Sequence, residues 1–376
     1  MSNIRVIAFY LPQYHPTHDN DLWWGKGFTE WTNVGRARPL FKGHYQPKVP
    51  ADLGYYDLRL PQVRKAQADL AVEAGIEGFC YYHYWFGHGK QELELPFNEV
   101  VKTHEPDFPF CLCWANESWH SKFWDKQGSA YSKKVLIEQQ YYGHEDNVAH
   151  FYSLLPAFMD NRYIRVNGKI LFMIYKPLDF DNIEGFISDW RTLAKENGLN
   201  DFYFVGQIAP KTKVNISIEI DKVLSYGFDA VNIVRLWNAL YDLPKVKKVI
   251  NLINRKILRM PNVCSYKMIY PYLIGSEEKA DNVYPTIIPN WDHTPRSGVN
   301  GYVLTGSTPE LFGNHIKQVL DCVNKKNDDN KIVFLKSWNE WGEGNYMEPD
   351  LRFGKQYIEA CRQTINAFDW TMDGTL

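Results

Sequence analysis

The fold class this 376-residue sequence predicts is a (β/α)8 barrel. Three observations carry that expectation. Eight short apolar runs alternate with stretches of helical periodicity, the rhythm of a parallel sheet with helices outside. No low-complexity linker divides the chain. Nearly every apolar run ends in a cluster of aromatic, amide, imidazole or carboxylate side chains, which fits a barrel because its chemistry gathers at the C-terminal ends of the strands. The chain therefore reads as a single catalytic barrel over 1–376, with a helical insertion near 235–280.

The elements follow in order. Strand one is expected over Arg5 to Leu11, then a long aromatic loop. Helical periodicity over Pro61 to Ala74 opens with a proline, which suits a first turn, and stops at Gly75. Strand two covers Gly78 to Tyr82, a helix Leu95 to His104, and strand three Phe108 to Trp114. A long loop from Ala115 to Ile137 leads to a helix over Glu145 to Met159. Strand four is Lys169 to Tyr175, stopped by Pro177. The helix Ile183 to Asn197 ends at Gly198. Strand five is Phe202 to Gln207 and strand six Ala230 to Ile233. Lys245 to Met260 reads as a basic, solvated helical insertion. Strand seven is Thr286 to Pro289. A helix capped by Thr308 runs to Val323, strand eight is Ile332 to Leu335, and the last helix is Phe353 to Ile365.

Composition excludes several function classes. Lys and Arg total 42 against 44 Asp and Glu, a net charge of -2, so bulk charge draws the chain to neither nucleic acid nor an acidic surface. No apolar run approaches the length of a membrane span. The apolar run after Met1 is short and reads as the first strand rather than a leader. Cys80, Cys111, Cys113, Cys264, Cys322 and Cys361 form no Cys-x-x-Cys pair, so buried free thiols and a cytoplasmic home are expected. His15, His18, His83 and His88 lack metal-ligand spacing, and no Gly-rich phosphate fingerprint follows strand one. Neither metal nor cofactor is expected.

The strand ends supply the candidate site. Strand one delivers Tyr10, Gln13, Tyr14 and His15; its loop adds Glu30 and Trp31. Strand two delivers Tyr82, His83, Tyr84 and Trp85, and strand three Trp114, Asn116, Glu117 and Trp119. Gln207 ends strand five. Trp291, Asp292 and Arg296 follow strand seven, and Trp338, Asn339, Trp341 and Tyr346 follow strand eight. Flat aromatic faces with polar handles suit the C–H faces and hydroxyls of sugar rings. The sharpest signal is the pair Glu340 and Glu343, three apart just past an apolar strand. Gly342 and Gly344 imply a tight loop there rather than a helix. Glycosidic cleavage commonly needs two carboxyl groups, one proton donor and one base or nucleophile. Glu117 and Asp292 are further acids for the groove, and Arg296 is placed to pair with one of these carboxylates.

The motifs AFYLPQYHP (8–16), GFTEWTNVGRARPLFKGHYQP (27–47), YYHYWF (81–86), CWANESW (113–119), PNWDHTPR (289–296) and SWNEWGEGNYMEP (337–349) resemble, in this order, the WbsX-like proteins, relatives of glycoside hydrolase family 99. The resemblance spans nearly the whole chain. It implies a (β/α)8 barrel and a retaining glycoside hydrolase or transglycosylase for α-mannoside- or α-rhamnoside-like linkages of a surface polysaccharide. It implies further that Glu340 deprotonates the sugar 2-hydroxyl to form a 1,2-anhydro sugar, and that Glu343 is the acid/base. Tyr10, His83 and Tyr84 would bind substrate. The expected partner is an oligosaccharide or polysaccharide, with association with polysaccharide-assembly enzymes. The alternatives are a glycosyltransferase of polysaccharide or O-antigen biosynthesis, or a non-catalytic carbohydrate-binding barrel.

Overall fold

The computed structural model describes residues 4–120, 134–210, 216–241, 243 and 245–372. Eight parallel strands form a closed ring: β1 (Arg5–Tyr10), β2 (Gly78–Trp85), β3 (Phe110–Trp114), β4 (Lys169–Ile174), β5 (Phe202–Ile208), β6 (Ala230–Ile233), β7 (Val283–Tyr284 with Thr286–Ile287) and β8 (Ile332–Leu335). Each pairs with the next, and β8 returns to β1 with Ile332 opposite Arg5. The fold is the (β/α)8 barrel.

Closure depends on β7. Pro285 has no N–H for the ladder, so the strand is split in two. Val283–Tyr284 pair with β6, and Thr286–Ile287 pair with β8. The Pro285 carbonyl still accepts from the Phe334 N–H at 3.0 Å, which holds the seam. The expected start at Thr286 missed the first half, because the proline reads as a boundary.

Helices surround the ring. They are α1 (His18–Trp24), α2 (Glu30–Arg36), α3 (Pro61–Ala74), α4 (Leu95–Thr103), α5 (His144–Phe158), α6 (Ile183–Glu196), α7 (Ile216–Ser225), α8 (Leu236–Tyr241), α9 (Lys245–Lys256), α10 (Tyr266–Ile269), α11 (Thr294–Ser297), α12 (Pro309–Val323) and α13 (Gln356–Met372). Some of them, such as α1 and α2, lie at the rim of its C-terminal end. Helix α6 shows the packing rule. Ile183, Phe186, Ile187, Trp190, Leu193 and Ala194 recur at helical spacing and all are buried. Trp190 is fully buried against Phe172 and Phe202 of the strands. Truncating it to alanine would cost about 3–5 kcal/mol. The caps follow the expected chemistry: Pro61 lies in the first turn of α3, Gly75 closes it at φ 81°, and the Thr308 hydroxyl accepts from the Leu311 N–H.

The first loop is more ordered than expected, since α1 and α2 lie within it. The last helix begins later than expected, at Gln356. Of the loop over 115–137, residues 121–133 lie outside those described; Trp119–His120 and Val135–Ile137 pair antiparallel at its ends. The segment after β6 builds a second apolar cluster, with Leu236, Ala239, Leu240, Cys264, Tyr266, Ile269 and Leu273 against Ile288, Trp291 and Leu304. A parallel pairing of Asn262–Ser265 with Tyr302–Thr305 ties that segment to the barrel. Five cysteines are buried, Cys322 is half-buried, and none of the six is in a disulfide. No helix among the described residues is long and apolar enough to cross a membrane.

Candidate active site

The C-terminal ends of the strands surround a cavity of about 430 Å³, within the usual range of small-ligand sites. Glu340 and Glu343 stand in its wall. The sequence folds locally as a hairpin: Asn339–Glu340 pair antiparallel with Asn345–Tyr346, and one 3-10 turn, Trp341–Glu343, joins them. Both glycines have close neighbours where a side chain would start. A Cβ on Gly342 would lie 1.9 Å from Glu30 Oε1, and Gly344 adopts φ +58° beside Lys48 and Asp292.

One guanidinium organises the acids. Arg296 Nη1 donates to Glu343 Oε1 at 2.7 Å and to Glu340 Oε1 at 3.3 Å, and Arg296 Nε donates to Glu30 Oε1 at 2.9 Å. All four side chains are largely buried. On the other side of Glu340, Oε2 accepts from Lys336 Nζ at 3.0 Å and from the Ser337 hydroxyl at 3.2 Å. Lys336 Nζ also donates to the Tyr82 hydroxyl at 3.0 Å. His293 Nε2 lies 3.5 Å from Glu343 Oε1.

The electrostatics follow from burial and these neighbours. Burial pushes the Glu343 carboxyl up, but Arg296, then His293 and Lys336, outweigh it and hold the group well below the ordinary carboxylate range. Burial pulls the Lys336 ammonium down, but Glu340 and Glu343 raise it above its ordinary value. The Tyr82 phenol is pushed far up by burial and by Glu340, so it stays protonated. Glu343 is thus an anion clasped by Arg296.

The walls sort the expected residues by strand pleat. Gln13, Glu30, Tyr82, Tyr84, Glu117, Trp119, Gln207, Trp291 and Arg296 line the cavity with the two glutamates. Side chains alternate across a strand, so the intervening residues do not. His83 meets His150 at 2.8 Å, Trp85 stacks on His150, and Trp114 donates to the Trp85 carbonyl. Tyr10 turns outward and donates to Gln67 at 2.7 Å. His15 is buried outside the walls, and burial lowers it to about 4.

Several others hold the loops that present the site. Asn339 exchanges two hydrogen bonds with the Leu11 backbone, locking the ends of β1 and β8 together. The Tyr14 hydroxyl donates to the Asn339 carbonyl and accepts from the Trp341 N–H, and its ring packs on Trp31. Trp341 stacks on Tyr346 at 3.8 Å and donates to Glu348. Trp338 is buried against Phe79. Asn116 bridges Tyr141 and the Lys176 backbone.

Asp292 is saturated rather than facing a sugar. Its Oδ2 accepts from His44 and Gln46, its Oδ1 from Thr294, and its N–H donates to the Glu343 carbonyl at 2.7 Å. Burial raises its carboxyl, but His44 and Lys48 bring it down to about 2. Its work is to hold the Glu343 loop.

Sequence reasoning missed other wall residues. Asn20 and Trp24 come from α1, Asn33 and Arg36 from α2, and Phe28 from the turn between them, all within a stretch whose sequence reads as loop. Lys336 follows strand eight directly, and Trp237 follows strand six; the strand-end rule could have found both. His293 lies inside a motif already singled out. Among the described residues no cluster of His, Cys, Asp and Glu has the arrangement of a metal site.

The chain is similar to known proteins over most of its length. The family described as glycosyltransferase WbsX matches residues 6–361. WxcX of Xanthomonas campestris pv. campestris, described as an uncharacterized protein, is 35% identical over 369 residues, covering 96% of this chain and 49% of WxcX. The chain thus spans about half the length of the curated relatives it matches. A structure described as a glycoside hydrolase-like protein superposes with TM-score 0.60 at 15% identity, covering 97% of this chain and 94% of that one. The GH99 endo-alpha-mannosidase from Bacteroides thetaiotaomicron superposes with TM-score 0.55 at 14% identity, covering 99% of each chain. At such identities the likeness is one of fold.

Proposed function

This chain belongs to the WbsX family, and on that premise we propose that it is a retaining glycoside hydrolase or transglycosylase. Its substrates are α-mannoside- or α-rhamnoside-like linkages of a surface polysaccharide. One observation carries the reading: Glu340 and Glu343 share a single guanidinium in the wall of an aromatic-lined cavity. Because both reach the same Nη1, one oxygen of each lies within about 6 Å of the other. That bound lets both carboxylates serve one sugar ring, and retention in this reading comes from two successive displacements at the anomeric carbon, the first by the 2-oxygen and the second by water.

The proposed chemistry proceeds in two steps. Glu340, oriented by Lys336 and Ser337, takes the proton of the sugar 2-hydroxyl. That oxygen attacks the anomeric carbon as the glycosidic bond breaks, and Glu343 gives its proton to the leaving oxygen. The product is a 1,2-anhydro sugar. Water, deprotonated by Glu343, then opens the ring at the anomeric carbon, and Glu340 returns the proton to the 2-oxygen. The 2-hydroxyl and leaving group must be trans, as in α-mannosides and α-rhamnosides. Glu343 must also acquire a proton that Arg296 opposes. Substrate seated between them, with the guanidinium drawn toward Glu30, relieves that opposition.

A second reading draws on the same ion pair. The family is described as a glycosyltransferase, a phosphate leaving group needs no proton donor, and Arg36 adds to the wall a cation outside the cluster of Arg296 with Glu30, Glu340 and Glu343. This favours glycosyl transfer from a phosphorylated donor. The deciding experiment is a product screen over defined α-linked oligosaccharides and, separately, sugar phosphates and sugar nucleotides with acceptor. Release of a reducing sugar of retained configuration supports hydrolysis, and turnover of phosphorylated donors alone supports transfer. No turnover of either class would sink both.

A further inference from the structure

Helix α9 turns its apolar side away from its own protein. Val246, Val249, Ile250, Ile253 and Ile257 recur at the spacing that gathers them on one stripe. All are exposed, Val246 at 70% and Ile257 at 72%. The Ile257 N–H donates to the Ile253 carbonyl at 2.8 Å, so the helical path continues to the end of the stripe. The inward residue is polar: Asn251 is buried and reaches Cys264. Burying apolar surface is favourable, so a folded chain ordinarily points such a stripe at its core. A stripe left outside marks a surface that something else covers.

Charge identifies the cover. The stretch 245–260 carries Lys245, Lys247, Lys248, Arg255, Lys256 and Arg259, and no aspartate or glutamate. A second copy seated stripe to stripe would bring two wholly cationic helices together, and like charges at that range repel. An anionic bilayer accepts both halves of the pattern. The stripe enters the boundary between headgroups and acyl chains, and the cations meet lipid phosphates. We propose that α9 is an in-plane anchor that seats this protein on an anionic phospholipid surface. The anchor lies close to the site in sequence and space. Leu236 and Trp237 of α8, the helix just before α9, are part of the cavity wall, and the Cys264 that Asn251 reaches lies in the strand paired to Tyr302–Thr305.

The test is flotation of the whole chain with vesicles of phosphatidylcholine alone and with phosphatidylglycerol added. The protein should float with the anionic vesicles, stay behind with the neutral ones, and be released by salt. Replacing Ile250→Asp and Ile253→Asp together should weaken vesicle binding by at least about tenfold. Lys245→Ala and Lys256→Ala, which flank the stripe, should each weaken it by about fivefold. All four side chains are exposed, so the thermal melt should not move; if the isoleucine pair does melt early, the lysine variants read the same surface. Wild-type protein left unbound by anionic vesicles overturns the proposal. So does vesicle binding unaffected by these substitutions, or a concentration-dependent dimer that the isoleucine pair abolishes, which would give the face to a second copy. No saccharide enters the experiment, so its failure leaves the reading of the cavity intact.

Discussion

Arg296 Nη1 lies 2.7 Å from Glu343 Oε1 in the cavity wall, and this contact holds the Glu343 carboxyl down. Replacing Arg296→Gln removes the cation that most strongly lowers the Glu343 carboxyl. Glu343 should then keep its proton to higher pH. If Glu343 is the proton donor, the alkaline limb of kcat/KM moves up while the maximum falls. A limb that stays in place speaks for a leaving group that needs no proton. Stability should also drop by about 3 kcal/mol, because Glu30 and Glu340 lose a buried partner. A pH–rate series paired with thermal melts reads both effects.

The two glutamates should separate by leaving group. Glu343→Gln should slow cleavage of unactivated glycosides by about 10²–10⁴-fold and affect activated aryl glycosides far less. Glu340→Gln should damage both, since attack by the 2-oxygen is itself lost. Near-wild-type rates for both variants on a true substrate would remove these roles.

Gly342 is the tightest point of the loop. A methyl group there meets Glu30 Oε1 at 1.9 Å and Arg296 Nε at 3.0 Å. Gly342→Ala should destabilise the protein by about 1–3 kcal/mol and displace the clasp on Glu343. A denaturant titration gives the first quantity, and kcat against KM the second. A variant of unchanged stability and rate would mean the loop yields freely.

Glu348 should make stability depend on pH. It is buried beneath the hairpin, where Trp341, Gln67 and Tyr56 donate to it. Burial outweighs those donors and raises its carboxyl from 4.5 to about 7. The folded state therefore binds a proton that the unfolded state has released. Its contribution is full below about pH 4.5 and lost as pH rises toward about 7. A raised carboxyl thus has the opposite sign to a salt-bridged one. Wild type should lose melting temperature relative to Glu348→Gln across that window; a constant difference from pH 4 to 8 would contradict it.

Much of the barrel was readable in the sequence because its signals are local. Alternation of strand and helix periods marked seven strands close to their observed places, and the eighth was halved by Pro285, whose missing N–H looks the same at a strand end as inside one. Helix α6 was plain because six buried residues repeat at its own period. Helices α1 and α2 were not, because each is only seven residues long, too short for a period to emerge from an aromatic-rich loop.

By itself, then, the sequence determined the ring of strands, the rim where polar side chains collect, and the placing of Glu340 and Glu343 on one glycine-bearing turn. Each depends on residues a few positions apart. Only the tertiary structure decided which rim residues face the cavity, since the phase of a pleat is set by pairing with neighbouring strands: Tyr82 and Tyr84 point in while His83 and Trp85 point out. It alone joined Arg296 to Glu30 across 266 residues and to both glutamates, and it alone left the apolar stripe of α9 facing outward. Charge pairing and burial depend on distances in space, and sequence spacing does not contain those distances.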